Sequence, residues 1–254
     1  MLYLIAFIFG SIWGSFSNVC IHRIPEDISV VTGRSQCPSC KIQIKWYDNI
    51  PLFSYLFLKA KCRGCSAKIN IEYFLVELIS AISFVLIVYF FGVSLTTLLF
   101  FILSICFVII FFIDFRHFII PNELTYPLMI IGLLKSFDPN LNATLFPNLI
   151  DSLIGGFFGY VIIWLIIFIY KKIRNKEGMG LGDAKLLSAI GFWFGWVSIP
   201  FIIFFSSVVA LLSVIPDLVT NKKKLSSQIP FGPFIIIGTL IFLFSNDNIK
   251  IFLN

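Results

Sequence analysis

The sequence predicts an all-α integral membrane protein of about eight transmembrane helices with one small polar loop subdomain. Three observations carry this. Of 254 residues, 59% are hydrophobic and only 13% are charged, against about 25% charged in soluble globular domains. The mean hydropathy is +0.98. The apolar residues fall in runs near the ~20 residues that a helix needs to cross a bilayer.

Taken in order, Met1–Val19 is nearly charge-free, and Tyr73–Phe91 is apolar apart from Glu77. Ser94–Ile113 carries no charge, and Leu149–Tyr170 carries Asp151 near its start. Val197–Ile215 is apolar, and Phe231–Phe244 is short but apolar. Leu124–Leu134 and Ala184–Phe194 are too short to span unless their flanks extend them. That makes six strong segments and two weaker ones. Met1–Val19 lacks a basic start and a small-x-small cleavage site, so it reads as a retained first helix and not a signal peptide. Six prolines (Pro121, Pro127, Pro147, Pro200, Pro216 and Pro230) are expected at span ends. Asp138-Pro139-Asn140 reads as a turn.

Charge sets the orientation. With eight spans, seventeen of the nineteen Lys and Arg residues fall in loops on one side, and only Lys135 and Lys250 fall on the other. The basic side is the cytoplasm by the positive-inside rule, which puts both termini outside. The net charge of +6 is thus a matter of topology and calls for no nucleic acid.

The sizeable polar stretch, about residues 20–71, has little apolar core of its own, and small domains of that kind rely on a metal or disulfide staple. It holds Cys37-Pro38-Ser39-Cys40 and Cys62-Arg63-Gly64-Cys65, separated by 21 residues. Two such pairs offer four thiolates to one tetrahedral zinc ion. The competing reading is two disulfides, which a reducing cytosol disfavours. Four thiolates leave no open coordination position, so the expected zinc is structural. Pro38 and Gly64 suit the tight turns. Cys20 and Cys106 stand alone in apolar surroundings and read as small buried hydrophobes.

Two acids stand out. Asp114 ends one apolar run, and Asp183 lies in Gly180-Leu181-Gly182-Asp183. In the topology above both lie at the cytoplasmic mouth. An ionisable residue at a membrane span is a functional candidate by default. Asp183 could instead be a helix N-cap, and Asp114 an interfacial acid paired to Arg116 or Lys185. Two carboxylates at one depth suit peptide hydrolysis, where one activates water, the other polarises the carbonyl, and the pair shares a proton. Gly180 and Gly182 would let an extended substrate backbone approach Asp183. Helix dipoles favour a charged Asp183 at a helix start and disfavour a charged Asp114 at a helix end, so Asp183 is the expected base and Asp114 the expected acid.

Gly180-Leu181-Gly182-Asp183 resembles the GxGD motif of membrane aspartyl proteases. The wider Gly178–Leu187 run resembles type IV prepilin peptidases. So do Gly14–Pro25, the four-cysteine loop with Asp48-Asn49-Ile50-Pro51, Asp114–Thr125, and Pro230-Phe231-Gly232-Pro233-Phe234. The resemblance implies a bifunctional enzyme of the bacterial inner membrane. It would remove the basic leader of prepilins or pseudopilins at the cytoplasmic face. It would then N-methylate the new terminal residue with S-adenosylmethionine. By motif match Asp114 and Asp183 are the catalytic pair. The implied division is a first helix at 1–19, a zinc loop at 20–71 and a protease core at 72–254. No residue of a methyl-donor site is legible, and there is no G-x-G-x-x-G nucleotide fingerprint. A peptidase without methyl transfer is one alternative. A proton-coupled transporter is another, although it would place its acids near the midplane. A zinc-bearing scaffold would explain the cysteines but not the glycine-flanked Asp183.

Overall fold

A computed structural model describes residues 1–138, 141, 146–175, 179–219 and 229–245. Pro139 and Asn140 of the expected turn, Gly178, and the basic residues Lys176, Lys222, Lys223, Lys224 and Lys250 lie outside these. The described residues form helices α1 (Leu2–Arg23), α2 (Phe53–Phe57), α3 (Ile71–Phe91), α4 (Leu95–His117), α5 (Asn122–Leu134), α6 (Leu149–Arg174), α7 (Leu181–Phe194), α8 (Ser198–Val219) and α9 (Gly232–Ser245). All eight expected segments are helical. Five helices (α1, α3, α4, α6 and α8) are long and apolar enough to cross a membrane.

The chain divides into two compact units, residues 1–109 and 110–254, with the boundary inside α4. In the first, α1 packs on α3 along a seam of small residues. A Cβ on Gly10 would lie 2.8 Å from the Ala81 Cα, and one on Gly14 would lie 2.7 Å from the Glu77 Cα. In lipid the hydrophobic effect gives no reason for helices to associate, so close backbone approach at small residues has to supply the contact.

The second unit uses the same device. Gly155 of α6 meets Gly191 of α7, and Gly159 of α6 meets Leu187. Ser188 Oγ donates to the Gly156 carbonyl at 2.8 Å. Trp193 Nε1 donates to the Leu128 carbonyl of α5 at 2.8 Å. α7 is buried on nearly every side, including Leu186, Leu187, Ile190 and Trp193. Hence it is apolar beyond its first turns yet only 14 residues long. The outward faces of the long helices, such as Phe157, Phe158, Phe168 and Phe204, are also apolar and exposed. Outside and inside are equally greasy, as a lipid solvent allows.

Pro121, Pro147, Pro200 and Pro230 stand at helix starts as expected, while two others lie inside helices. Pro127 lies inside α5, and Pro216 lies within α8. Membrane helices tolerate such interruptions because neighbouring groups take up the freed carbonyls. Pro200 sits in the first turn of α8, where the missing N–H has no partner to lose.

Candidate active site and metal centre

Asp114 lies in the last turn of α4, three residues before its end at His117. Asp183 is the third residue of α7, in its first turn, and the N-cap is Gly180. Asp183 is therefore not the cap itself. Its own backbone N–H donates to the Gly180 carbonyl at 3.3 Å. Both acids are buried, 4% exposed at Asp114 and 7% at Asp183, and are near enough to interact electrostatically.

The loop after α4 closes the site. Phe118 adopts φ 56°, and its N–H donates to the Asp114 carbonyl at 3.0 Å. This is a helix-ending left-handed turn made without glycine. The turn carries Ile120 between two glycines: a Cβ on Gly182 would lie 2.9 Å from the Ile120 Cβ, and one on Gly232 would lie 3.1 Å from the Ile120 Cδ1. The fold thus has its own reason for glycine at 182. Gly180 is exposed, and a Cβ there would meet only ordinary contacts at 3.8 Å.

Two site residues were missed by reading the sequence for acids. The Gly232 N–H donates to Asp114 Oδ2 at 2.9 Å, placing the start of α9 against that carboxylate. The available signal was Gly232-Pro233, since proline is tolerated in the first turn of a helix. Ile120 had no signal beyond its place in the Asp114–Thr125 run. Lys185 donates to Asn122 Oδ1 at 2.7 Å and lies 5.3 Å from the Tyr126 ring centre, which ties the start of α7 to α5. The contact at α9 also alters the dipole argument. Asp114 ends its own helix but faces the start of another, so each carboxylate stands at a helix N-terminus. Helix termini therefore do not separate base from acid.

The four cysteines form the second centre. The Sγ atoms of Cys37, Cys40, Cys62 and Cys65 lie within 4.8 Å of one another, and those of Cys37 and Cys65 are 3.9 Å apart. All four are free thiols, too far apart for the ~2.05 Å of a disulfide. Zn–S bonds of ~2.3 Å in a tetrahedron place sulfurs about 3.8 Å apart, so the cluster fits zinc. Each pair is a small knuckle. The Cys37 N–H donates to the Ile42 carbonyl at 3.0 Å, and the Cys62 N–H to the Ala67 carbonyl at 2.9 Å. Bridges Gln36–Gln43 and Lys61–Lys68 close them.

The left-handed residue of each turn follows the second cysteine: Lys41 at φ 59° and Ser66 at φ 58°. Gly64 is needed for approach, since a Cβ there would come 3.1 Å from the Ile42 Cδ1. The Cys40 backbone N–H, above all, holds the Cys37 thiol down to about 6. Cys65, although the Ala67 N–H favours its thiolate, is pushed up to about 11 by lost solvation and its three thiol neighbours. Four thiolates cannot share this space without a cation. Of the lone cysteines, Cys20 is buried and Cys106 half-buried.

Residues 8–91 match the bacterial peptidase A24 N-terminal domain, and residues 100–215 match the type IV leader peptidase family. A protein of Vibrio cholerae named prepilin leader peptidase/N-methyltransferase is 37% identical, over 96% of this chain and 97% of its own. Proteins of the same name from Aeromonas salmonicida and Pseudomonas aeruginosa are 36% and 34% identical, over 96% and 94% of this chain and 91% and 89% of their own. No solved structure matches. With two family models lying end to end along the helices just described, and relatives above 30% identity over nearly all of it, the chain belongs to the type IV leader peptidase family.

Proposed function

We propose that this chain is a prepilin leader peptidase and N-methyltransferase of the bacterial inner membrane, and that Asp114 and Asp183 form its aspartyl protease pair. The observation that carries the reading is two buried carboxylates at helix ends, close enough to interact, with the Gly232 N–H donating to Asp114. In the hydrolysis, the ionised member takes a proton from water while the protonated member donates to the scissile carbonyl. The water oxygen bonds to that carbon. The C–N bond then breaks, and the leaving nitrogen takes a proton from the pair.

Prepilins and pseudopilins, whose leaders are basic, are the substrates. Arg116 closes α4, Lys171, Lys172 and Arg174 close α6, and Lys185 lies in the first turns of α7. This favours a cytoplasmic position for the acids. We take α5, α7 and α9 to span with the five long helices, which gives eight crossings. Residues 20–71 serve as the zinc loop and 72–254 as the protease core, with Gly180 as the open side along which substrate backbone passes. Cys37, Cys40, Cys62 and Cys65 would hold the zinc, whose part is structural. S-adenosylmethionine supplies an electrophilic methyl group for the new terminal amine.

The test is cleavage of a prepilin-like peptide by detergent-purified protein, read by mass, with and without S-adenosylmethionine. Cleavage should vanish in Asp114→Asn and in Asp183→Asn, and the donor should add one methyl mass. Full cleavage by Asp114→Asn ends the aspartyl protease reading.

A further inference from the structure

The loop subdomain contains a cleft of about 470 Å³ lined by Tyr47, Asp48, Phe53, Phe57 and Arg63, among others. Its lining includes an ion pair. The Asp48 side chain is only 9% exposed and accepts from Arg63 Nε at 3.1 and 2.9 Å and from Nη2 at 2.6 Å. Its walls are aromatic. Phe53 and Phe57 of α2 are 61% and 82% exposed, and the Tyr47 ring lies 5.5 Å from the Arg63 guanidinium and 5.7 Å from Lys45 Nζ.

Both sides of the cleft are braced. Arg63 stands inside the second cysteine knuckle, so the metal cluster fixes it. α2 is held from beneath, where the Leu52 N–H, at a backbone φ of 63°, donates to Glu77 Oε2 of α3 at 2.7 Å. A left-handed leucine pinned by a membrane carboxylate is a strained arrangement, and it sets the angle at which Phe53 and Phe57 leave the loop.

We infer that this cleft is the S-adenosylmethionine site. The inference rests on the methyl-transfer reading above and supplies the donor site that the sequence does not reveal. The volume lies in the range of small-molecule sites, which are mostly apolar with a few fixed polar groups. The ligand carries a sulfonium, an ammonium and a carboxylate. Exposed aromatic faces attract such cations. Arg63 spends Nε and one arm on Asp48, which leaves N–H groups for the ligand carboxylate. Asp48 Oδ2 receives one bond and keeps acceptor capacity for the ammonium or a ribose hydroxyl. A surface meant for lipid tails would have no use for a carboxylate and a guanidinium between its aromatics.

The test uses the full-length, zinc-loaded protein in detergent and the unreactive product S-adenosylhomocysteine, titrated by calorimetry. The Phe53→Ala/Phe57→Ala double variant should bind about tenfold more weakly. Arg63→Lys, which keeps the charge and loses the fork, should also bind about tenfold more weakly. Zinc content and thermal midpoint serve as the measure of folding. Independently, ultraviolet cross-linking with methyl-labelled S-adenosylmethionine should leave the label in the peptide 46–63. No binding by the unaltered protein removes the methyl-transfer reading itself. Binding by the unaltered protein at the same affinity as both folded variants, or label recovered elsewhere, overturns the cleft alone and leaves Phe53 and Phe57 to the lipid surface.

Discussion

Gly232→Ala isolates the catalytic pair without touching either acid. The added Cβ would stand 2.7 Å from Asp114 Oδ2, 3.2 Å from its Cγ and 3.1 Å from the Ile120 Cδ1. The backbone N–H that binds Asp114 survives the change, so the hydrogen bond is not deleted. The carboxylate must instead retreat by about half an ångström to restore van der Waals contact. Geometry shifted on this scale is worth roughly 10- to 100-fold in rate. The loss should appear in kcat, because the Cβ presses on Asp114 and not on the exposed approach beside Gly180. Gly180→Ala is the natural partner, since its Cβ meets nothing closer than 3.8 Å. Any loss there should fall on KM, through crowding of substrate. The assay is the rate of leader release from a prepilin-like peptide, followed by mass at several substrate concentrations. Unchanged kcat in Gly232→Ala would refute the claim that this amide positions a working acid.

Four further outcomes follow from the same contacts. Gly182→Ala should cut cleavage at least tenfold, because its Cβ would lie 2.9 Å from the Ile120 Cβ; Ile120→Gly in the same chain, which removes that Cβ, should restore part of the rate, and additivity of the two losses would reject the coupling. Glu77→Ala strands the Leu52 N–H that Glu77 accepts at 2.7 Å; thermal denaturation should show about 1–3 kcal/mol lost, whereas Glu77→Gln keeps an acceptor and most of the stability. Lys185→Met removes the bond to Asn122 and should cost up to about 1 kcal/mol at this partly exposed site, again read by thermal denaturation. Zinc retention should fall on acidification, because Cys37, Cys40, Cys62 and Cys65 bind as thiolates and protons compete with the metal for them. Release of one zinc per chain on acidification, followed with a chromophoric chelator, checks this.

The extent to which the sequence could be read differs by the range of the interaction. Apolar runs are local, so the eight apolar helices were legible within a few residues of their ends, whereas the five-residue α2 was not. The cysteine pairs were legible because metal spacing is a local pattern too. The acids were legible as residues, since charge is rare in such a chain, but their surroundings were not. The Gly232 amide that holds Asp114 lies 118 residues away in sequence, and no periodicity announces it. Gly10 and Gly14 likewise become meaningful only once Ala81 and Glu77 oppose them. The left-handed turns fell on Lys41 and Ser66, where glycine would be the expected signal.

The three short helices tie fold to chemistry. α5, α7 and α9 contain 13, 14 and 14 residues, and at 1.5 Å per residue each covers about 20 Å. The hydrocarbon of a bilayer is about 30 Å thick. On the proposed topology, helices this short, packed among longer neighbours such as the 26-residue α6, would leave one end beneath the membrane surface. The starts of α7 and α9 are where Asp183 and the Gly232 amide stand. A helix start brings unpaired N–H groups with it, and in hydrocarbon these must find acceptors inside the protein. Asp114 supplies one, taking the Gly232 N–H. The polar group that the start of α9 would otherwise leave bare in lipid is thus the one that holds Asp114. Lengthening α9 at its start by a helical turn would remove both the recess and the donor to Asp114, and should abolish cleavage while the small-residue seam between α6 and α7 keeps the unit folded.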